Sequence, residues 1–229
     1  MSEFKRKFIQ NFIEEDRYKL LIDGLLVTLK ISFFSVLIGI LIGFIIAIIR
    51  STHDKTGKLK VLNILAKIYI TVIRGTPILV QLLIAYYCIF TAPDVNKLFV
   101  AVMAFGINSG AYVAEIVRSG IMSVDNGQLE AGRSLGFNYF QSMIYIVLPQ
   151  AFKNVLPALS NEFIVLLKET SIAGYIGIQD LTRAGDIIRG RTFEALFPLI
   201  AVALIYLVVV MLLTFLISKL ERRLRSSEH

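Results

Sequence analysis

Glu115 and Glu162 each stand inside apolar sequence, where an ionisable side chain is expensive and marks a solute path or a paired network. Asn108 and Ser109 precede the first acid, and Asn161 adjoins the second. The chemistry such groups offer is binding of a cationic solute, not bond-making. If the segment carrying Glu162 begins near Pro157, that acid lies about a turn and a half inside its end. Glu115, six residues before Ile121, is then at similar depth, and the two face one cavity. If the segment begins near Met143 instead, the acids stand about 20 Å apart. Arg118 follows Glu115 by three residues on the same helix face and offers it an ordinary ion pair. The run Lys168-Glu169-Thr170-Ser171 lines an outer gate or caps its helix. His53 and His229 are far apart, and the lone Cys88 lies in an apolar run. No metal site, internal disulfide or catalytic residue is therefore expected.

The elements that position these residues are read from the distribution of apolar sequence. Of the 229 residues, 56% are hydrophobic and 18% charged, and the mean hydropathy is +0.71. A soluble domain carries about a quarter charged residues. The apolar residues come in runs long enough to cross roughly 30 Å of hydrocarbon. The first runs from Leu20 to Ile49 and includes Gly39-Ile-Leu-Ile-Gly43, a pattern that lets helix backbones approach closely, within the chain or between copies. A basic loop, 50–60, follows. The second run, Val61 to Phe90, is interrupted at Arg74-Gly75-Thr76-Pro77. Proline removes a backbone donor, so one broken membrane segment is expected here. A third span covers Leu98–Ile121, and a polar connector covers 119–142. The fourth segment has two registers, Met143–Lys168 or Pro157–Tyr175, and the fifth span covers Ala195–Ile217. Before the first span, Phe4, Phe8 and Phe12 recur every four residues among Lys5, Arg6 and Lys7, as in an amphipathic helix at the head groups. The first 19 residues hold no uninterrupted apolar core of signal-peptide type.

Several function classes fall away. The net charge of +7 is that of basic flanks meeting anionic head groups, not of a nucleic-acid binder. Gly185 to Thr192 approaches a phosphate-binding loop, but Arg191 replaces the lysine and no buried strand precedes it. Any ATP-derived energy must come from a partner. The basic residues do not orient the chain: 50–60, 118–142 and the tail hold four, two and four, and the opposite side also totals ten.

The connector carries Gln128-Leu129-Glu130-Ala131-Gly132-Arg133-Ser134-Leu135-Gly136-Phe137, and Ile146-Val147-Leu148-Pro149 begins nine residues after Gly136. This resembles the signature loop of ABC-importer permeases: Glu-Ala-Ala, three residues, Gly, nine residues, Ile-x-Leu-Pro. Gly132 departs from the family's alanine and costs the helix up to about 1 kcal/mol. Physically, Glu130 near a helix start suits the positive end of the dipole. Leu129, Leu135 and Phe137 are apolar in a watery connector and call for a cover, and Gly136 can supply a left-handed helix end. Arg74-Gly75-Thr76-Pro77, Ala111 to Ile121, Ser123 to Gln128 and Lys168 to Ser171 look like the polar-amino-acid branch of that family. The resemblance extends from about Asp23 to Leu220.

It implies an all-α membrane protein of about five transmembrane helices, with a short cytoplasmic coupling helix, of the type I importer kind. Residues 1–19 form an amphipathic segment, 20–220 the permease domain and 221–229 a basic cytoplasmic tail. The chain would be no enzyme but the channel subunit of an ATP-driven importer in the bacterial inner membrane, for a polar, cationic amino acid. Residues 128–137 would dock on a separate ATPase that uses ATP and Mg. The other partners implied are a second permease chain, identical in preference to different, an extracellular solute-binding protein and the bilayer. No cofactor would be bound by this chain and no nucleic acid recognised. The connector places the C-terminus in the cytoplasm and the N-terminus outside. The competing readings are a permease for another small solute and an ATP-independent channel or sensor.

Overall fold

The computed structural model describes residues 3–226, with side chains through Arg223. His229 and the last residues of the basic tail lie outside the described residues. Among the described residues ten α-helices follow one another: α1 Glu3–Phe8, α2 Tyr18–Thr56, α3 Lys60–Gly75, α4 Ile78–Ile84, α5 Lys97–Met122, α6 Asn126–Ser134, α7 Tyr139–Ser142, α8 Leu148–Glu169, α9 Leu181–Thr192 and α10 Leu196–Ser226. Among the described residues there is no strand. Three helices, α2, α5 and α10, are long and apolar enough to cross a bilayer alone, and α3 with 78–89 makes a fourth as a broken span. The 22 residues of α8 have the length, about 33 Å, but carry Lys153, Glu162, Lys168 and Glu169.

The chain divides into two compact units. The first gathers residues up to Ser35, Ile78–Phe105 and Ile164–Phe215. Its core is Phe12, Leu21, Leu181, Ala184, Ile188 and Val202. In the amphipathic N-terminal segment, α1 itself holds no buried residue, and the residues just after it are anchored. Phe12 enters the core, Asn11 accepts a hydrogen bond from Thr192 at 2.9 Å, and Phe4 stacks on Phe197 at 5.4 Å. Asp180 caps α9 by accepting from the amides of Thr182 and Arg183. The glycine-rich run 185–192 lies wholly within α9, so it forms no loop whose amides could cradle a phosphate.

The second unit comprises Val36–Pro77, Gly106–Phe163 and the chain from Leu216 on. Ala47, Val113, Val117, Ile121, Val124, Val147 and Ala151 form one buried cluster. Tyr69 donates to the carbonyl of Ile107, tying α3 to α5.

Helix α2 shows why small residues recur along it. Thr28, Ser32, Ser35, Gly39, Gly43, Ala47 and Ser51 are all buried, three or four apart. Within the first unit, Ser35 donates to the carbonyl of Val102 at 3.2 Å, and the Thr28 hydroxyl accepts from the Leu181 amide at 3.1 Å. Within the second, Gly39 abuts Ser109 and Gly43 abuts Val113. The Gly39–Gly43 pair therefore serves packing within the chain. A Cβ on Gly43 would lie 2.5 Å from Val113 Cβ and 2.9 Å from the Ala114 amide. Backbone cannot yield there, and overpacking of this kind costs about 1–3 kcal/mol or more. We expect Gly43→Leu to abolish folded membrane-inserted protein, and Gly43→Ala to lower its melting temperature in detergent by several degrees. A Gly43→Ala melting curve superimposable on the parent would refute this packing.

Two boundaries differ from expectation, and one that stood open between two registers is decided. Residues 50–56 are not loop: α2 continues to Thr56, and only 57–59 turn the chain, with Gly57 and Leu59 at φ 69° and 58°. Arg50, Asp54 and Lys55 are charged yet helical because their side chains reach partners or water past the apolar zone. The longer register of the fourth segment is the one adopted: a wide turn at 143–147 leads straight into α8, which runs through Pro157. Its ring only removes the bond to the carbonyl four residues back. Finally, residues 221–226, read as tail, continue α10. The expected break at Arg74–Pro77 is present: Thr76 is extended at φ −123°, ψ 144° between α3 and α4.

Candidate functional site

The connector folds as a capped helix. The Asp125 carboxylate accepts the Gly127 amide at 2.6 Å and opens α6. Glu130 is the fifth residue of that helix, so Asp125, not Glu130, occupies the positive end of the dipole. At the other end Phe137 N–H donates to Gly132 O at 3.1 Å and Gly136 N–H to Arg133 O at 3.0 Å. Gly136 sits at φ 88°. This is the Schellman closure, in which glycine alone takes the left-handed position without strain.

The two faces of α6 differ. Leu129 packs against the buried cluster of the second unit. Gly132 is buried, and a Cβ there would stand 2.7 Å from Ile146 Cδ1 and 2.8 Å from Ser142 Oγ. Gly132 thus packs tightly on Ile146 and Ser142, leaving room for a methyl only if those side-chain ends shift, which the sequence did not display. The opposite face carries Gln128, Glu130 and Ala131, all exposed, and Gln128 accepts from Gln150 at 3.3 Å. Leu135, Phe137, Phe140 and Tyr145 extend it as apolar surface, with Leu135 78% exposed. The three apolar residues singled out in the connector therefore divide: Leu129 is covered by its own chain, whereas Leu135 and Phe137 face outward.

Of the polar residues within the spans, Ser109 and Glu162 come together. Ser109 Oγ donates to Glu162 Oε1 at 3.0 Å, with both side chains buried. Asn108 beside them is buried too, while Asn161 is exposed. Lys168, Glu169, Thr170 and Ser171 belong to the first unit. There Thr170 is fully buried, donates to the Leu167 carbonyl at 2.7 Å and meets Ser32 Oγ at 3.5 Å. Lys168 is exposed, and Glu169 and Ser171 are half-buried.

Glu115 has different company. It is contacted by Arg50, by Arg118 Nε at 3.7 Å and by Arg74 Nη1 at 3.9 Å. Arg118 reaches on to Asp54 at 3.2 Å, and the Arg74 guanidinium lies 5.1 Å over the Tyr112 ring. This network borders a cavity of about 490 Å³ that also meets Ser119, Ser123 and Asn154. Arg118 was legible at three residues' spacing. Arg50 was missed because a basic residue at the end of an apolar run reads as a membrane flank, and Asp54 because it falls in the stretch 50–60, expected to be loop.

The model of the family described as binding-protein-dependent transport system inner membrane component matches residues 22–226. The chain is 39% identical to the arginine transport system permease protein ArtQ of Bacillus subtilis over 210 residues, 91% of this chain and 94% of that protein. It is 37% identical to the glutamine transport system permease protein GlnP of Escherichia coli over 209 residues, 90% and 93% of the two chains. Among solved structures, the crystal structure of an amino acid ABC transporter with histidines superposes with a TM-score of 0.83 at 46% identity, covering 93% of this chain and 98% of that one. With a helical membrane fold, no phosphate-binding loop at 185–192 and a capped helix where the family signature falls, the chain belongs to the binding-protein-dependent transport system inner membrane components: it is a transmembrane permease subunit of an ABC importer, whose ATP is hydrolysed by a separate subunit.

Proposed function

We propose that this permease imports a polar, cationic amino acid, drawn from an extracellular binding protein, and that the buried Glu162 is its charge-selecting group. The observation that carries this is the Ser109–Glu162 pair with Asn108 beside it, a carboxylate held at membrane depth with hydroxyl and amide neighbours. Buried carboxylates in membranes are retained for a path or a partner, and the Ser109 hydroxyl holds this one in place on α8. The named relatives transport arginine or glutamine, so charge is the property to be decided. Asn161 is assigned to the same path, and Lys168, Glu169, Thr170 and Ser171 are assigned to solute contact within the first unit.

Residues 128–137 couple the spans to the ATPase, which binds ATP and Mg on its own chain. This places the connector and the C-terminus in the cytoplasm and the N-terminus outside. Few spans per chain favour a homodimer around the path.

The test is uptake into liposomes by the transporter assembled with its ATPase and binding protein. Glu162→Gln is expected to lower uptake of arginine at least tenfold while altering that of glutamine less than threefold. Equal effects on both would show that Glu162 does not select charge. Glu115→Gln in the same assay reads the second acid.

A further inference from the structure

We propose that the cavity beside Arg74 in the second unit holds the carboxylate end of the transported amino acid, and that Arg74 is the residue that takes the carboxylate. The inference rests on the reading of the chain as an amino-acid permease and is independent of the charge on the cargo's side chain. The cavity encloses about 490 Å³, within the roughly 300–1,000 Å³ usual for a small-molecule site. Its walls include Arg74 of α3, Glu115 and Ser119 of α5, Ser123 just past α5, and Asn154 and Ala158 of α8.

Charge selects the group that binds. Among the described residues, Arg74 and Glu115 are the charged ones on the wall, and Arg50, Arg118 and Asp54 complete their network behind it. Three guanidiniums against two carboxylates leave an excess of one positive charge. Arg50 and Arg118 both meet Glu115 Oε1, and Arg118 also meets Asp54 at 3.2 Å. Arg74 is the least engaged of the three: it stands 3.9 Å from Glu115 Oε2, beyond hydrogen-bond reach, and is 43% exposed. Its guanidinium lies 5.1 Å over the Tyr112 ring, which fixes the plane and leaves the edge donors for a two-point contact with a carboxylate. Neutral acceptors for an α-ammonium adjoin it. Asn154 Nδ2 donates to Ser123 Oγ at 3.0 Å, so the Asn154 carbonyl oxygen is an acceptor, as is the Ser119 hydroxyl. Asn154, Ala158 and Glu162 recur every four residues on one face of α8. Glu162 is therefore one turn, about 6 Å, beyond Ala158, and a long side chain extended along that face leads toward it. Carboxylate and side chain are then read by different residues.

The test is equilibrium binding to the permease assembled with its ATPase in detergent, without the binding protein. Radiolabelled arginine is competed by agmatine, which is arginine without its carboxylate. Glutamine and 4-aminobutanamide form the same pair for a neutral side chain. A hydrogen-bonded contact to a charged group is worth enough for the parent to bind at least one of the amino acids about tenfold or more tighter than its decarboxylated analogue. R74Q should bring that ratio below about threefold by weakening the amino acid and not the analogue. A158F, which fills the cavity from α8 without removing a charge, should weaken the amino acid about tenfold or more. E162Q should weaken arginine and agmatine alike and leave their ratio in place. An E162Q complex that binds arginine as the parent does ends the charge-selecting role of Glu162 and leaves the Arg74 site standing. A parent ratio near one, or no binding of either amino acid by the parent, overturns the proposal. So does an R74Q complex that melts as the parent does and keeps the parent ratio, or an A158F complex that binds the amino acid undiminished.

Discussion

Glu115→Gln is expected to destabilise the second unit by about 2 kcal/mol, a figure set between two limits. Removing one partner of a buried charge pair costs about 3–5 kcal/mol, whereas exposed pairs contribute about 0.2–1 kcal/mol. The Glu115 side chain is 27% exposed, Arg50 13%, Arg118 27% and Arg74 43%, so the network falls between these limits. The carboxylate answers three guanidiniums on α2, α3 and α5, and its loss leaves Arg50, Arg74 and Arg118 facing one another with Asp54 bound only to Arg118. A change of this size lowers the melting temperature of a chain this long by about 4–8 °C. Added salt should recover part of the loss, since like-charge repulsion near a cavity is screened over about 10 Å at 0.1 M. Asp54→Asn removes a single partly exposed pair and should cost under about 1 kcal/mol. Arg50→Gln combined with Glu115→Gln should cost less than the two singly, because each removes the other's reason for burial. A melting temperature within 1 °C of the parent for Glu115→Gln would show that the three arginines are held by something else.

This network also marks how far the sequence reaches. Its local part, Glu115 with Arg118, follows from helical spacing, and so does the break at Pro77, because a missing N–H acts on the residues beside it. Spans such as α5 were legible to within a residue, since hydrophobic length is a property of the run itself. What depended on distant approach was not legible. Arg50 meets Glu115 across 65 residues, and nothing local distinguishes it from a flank that snorkels. The register of α8 stayed open because Pro157 offered a second start besides Met143, and the helix simply tolerates that proline. The same limit applied to Gly132, whose close neighbour is a side chain fourteen positions on, Ile146. In the coupling loop the family pattern located the helix, whereas capping by Asp125 and the division between an inward Leu129 and an outward Leu135 came only from packing.

That division sets the second large expectation. On the proposed coupling, a push on the outward face of α6 reaches the spans because the inward face is seated on α5 and on the chain entering α8 through Leu129 and Gly132. The two faces should then fail differently. Leu135→Asp with Glu130→Ala alters only exposed side chains, so the permease should insert and melt as the parent does, yet lose the ATPase. An apolar interface anchor contributes about 2 kcal/mol or more, which corresponds to roughly 30-fold weaker association, read by co-purification in detergent. Gly132→Leu leaves the outward residues in place but forces α6 off Ser142 and Ile146, at a cost of about 1–3 kcal/mol. The ATPase should still co-purify and hydrolyse ATP, while amino-acid uptake falls at least tenfold. Gly132→Ala is the control. Its methyl meets the flexible end of Ile146 and a rotatable hydroxyl, and the helix gains up to about 1 kcal/mol in propensity, so uptake should remain within threefold of the parent. If Gly132→Leu transports normally, or if the outward pair leaves co-purification intact, α6 does not transmit the stroke. Loss of binding without loss of fold on one face, and loss of transport without loss of binding on the other, is the signature a seated lever must give.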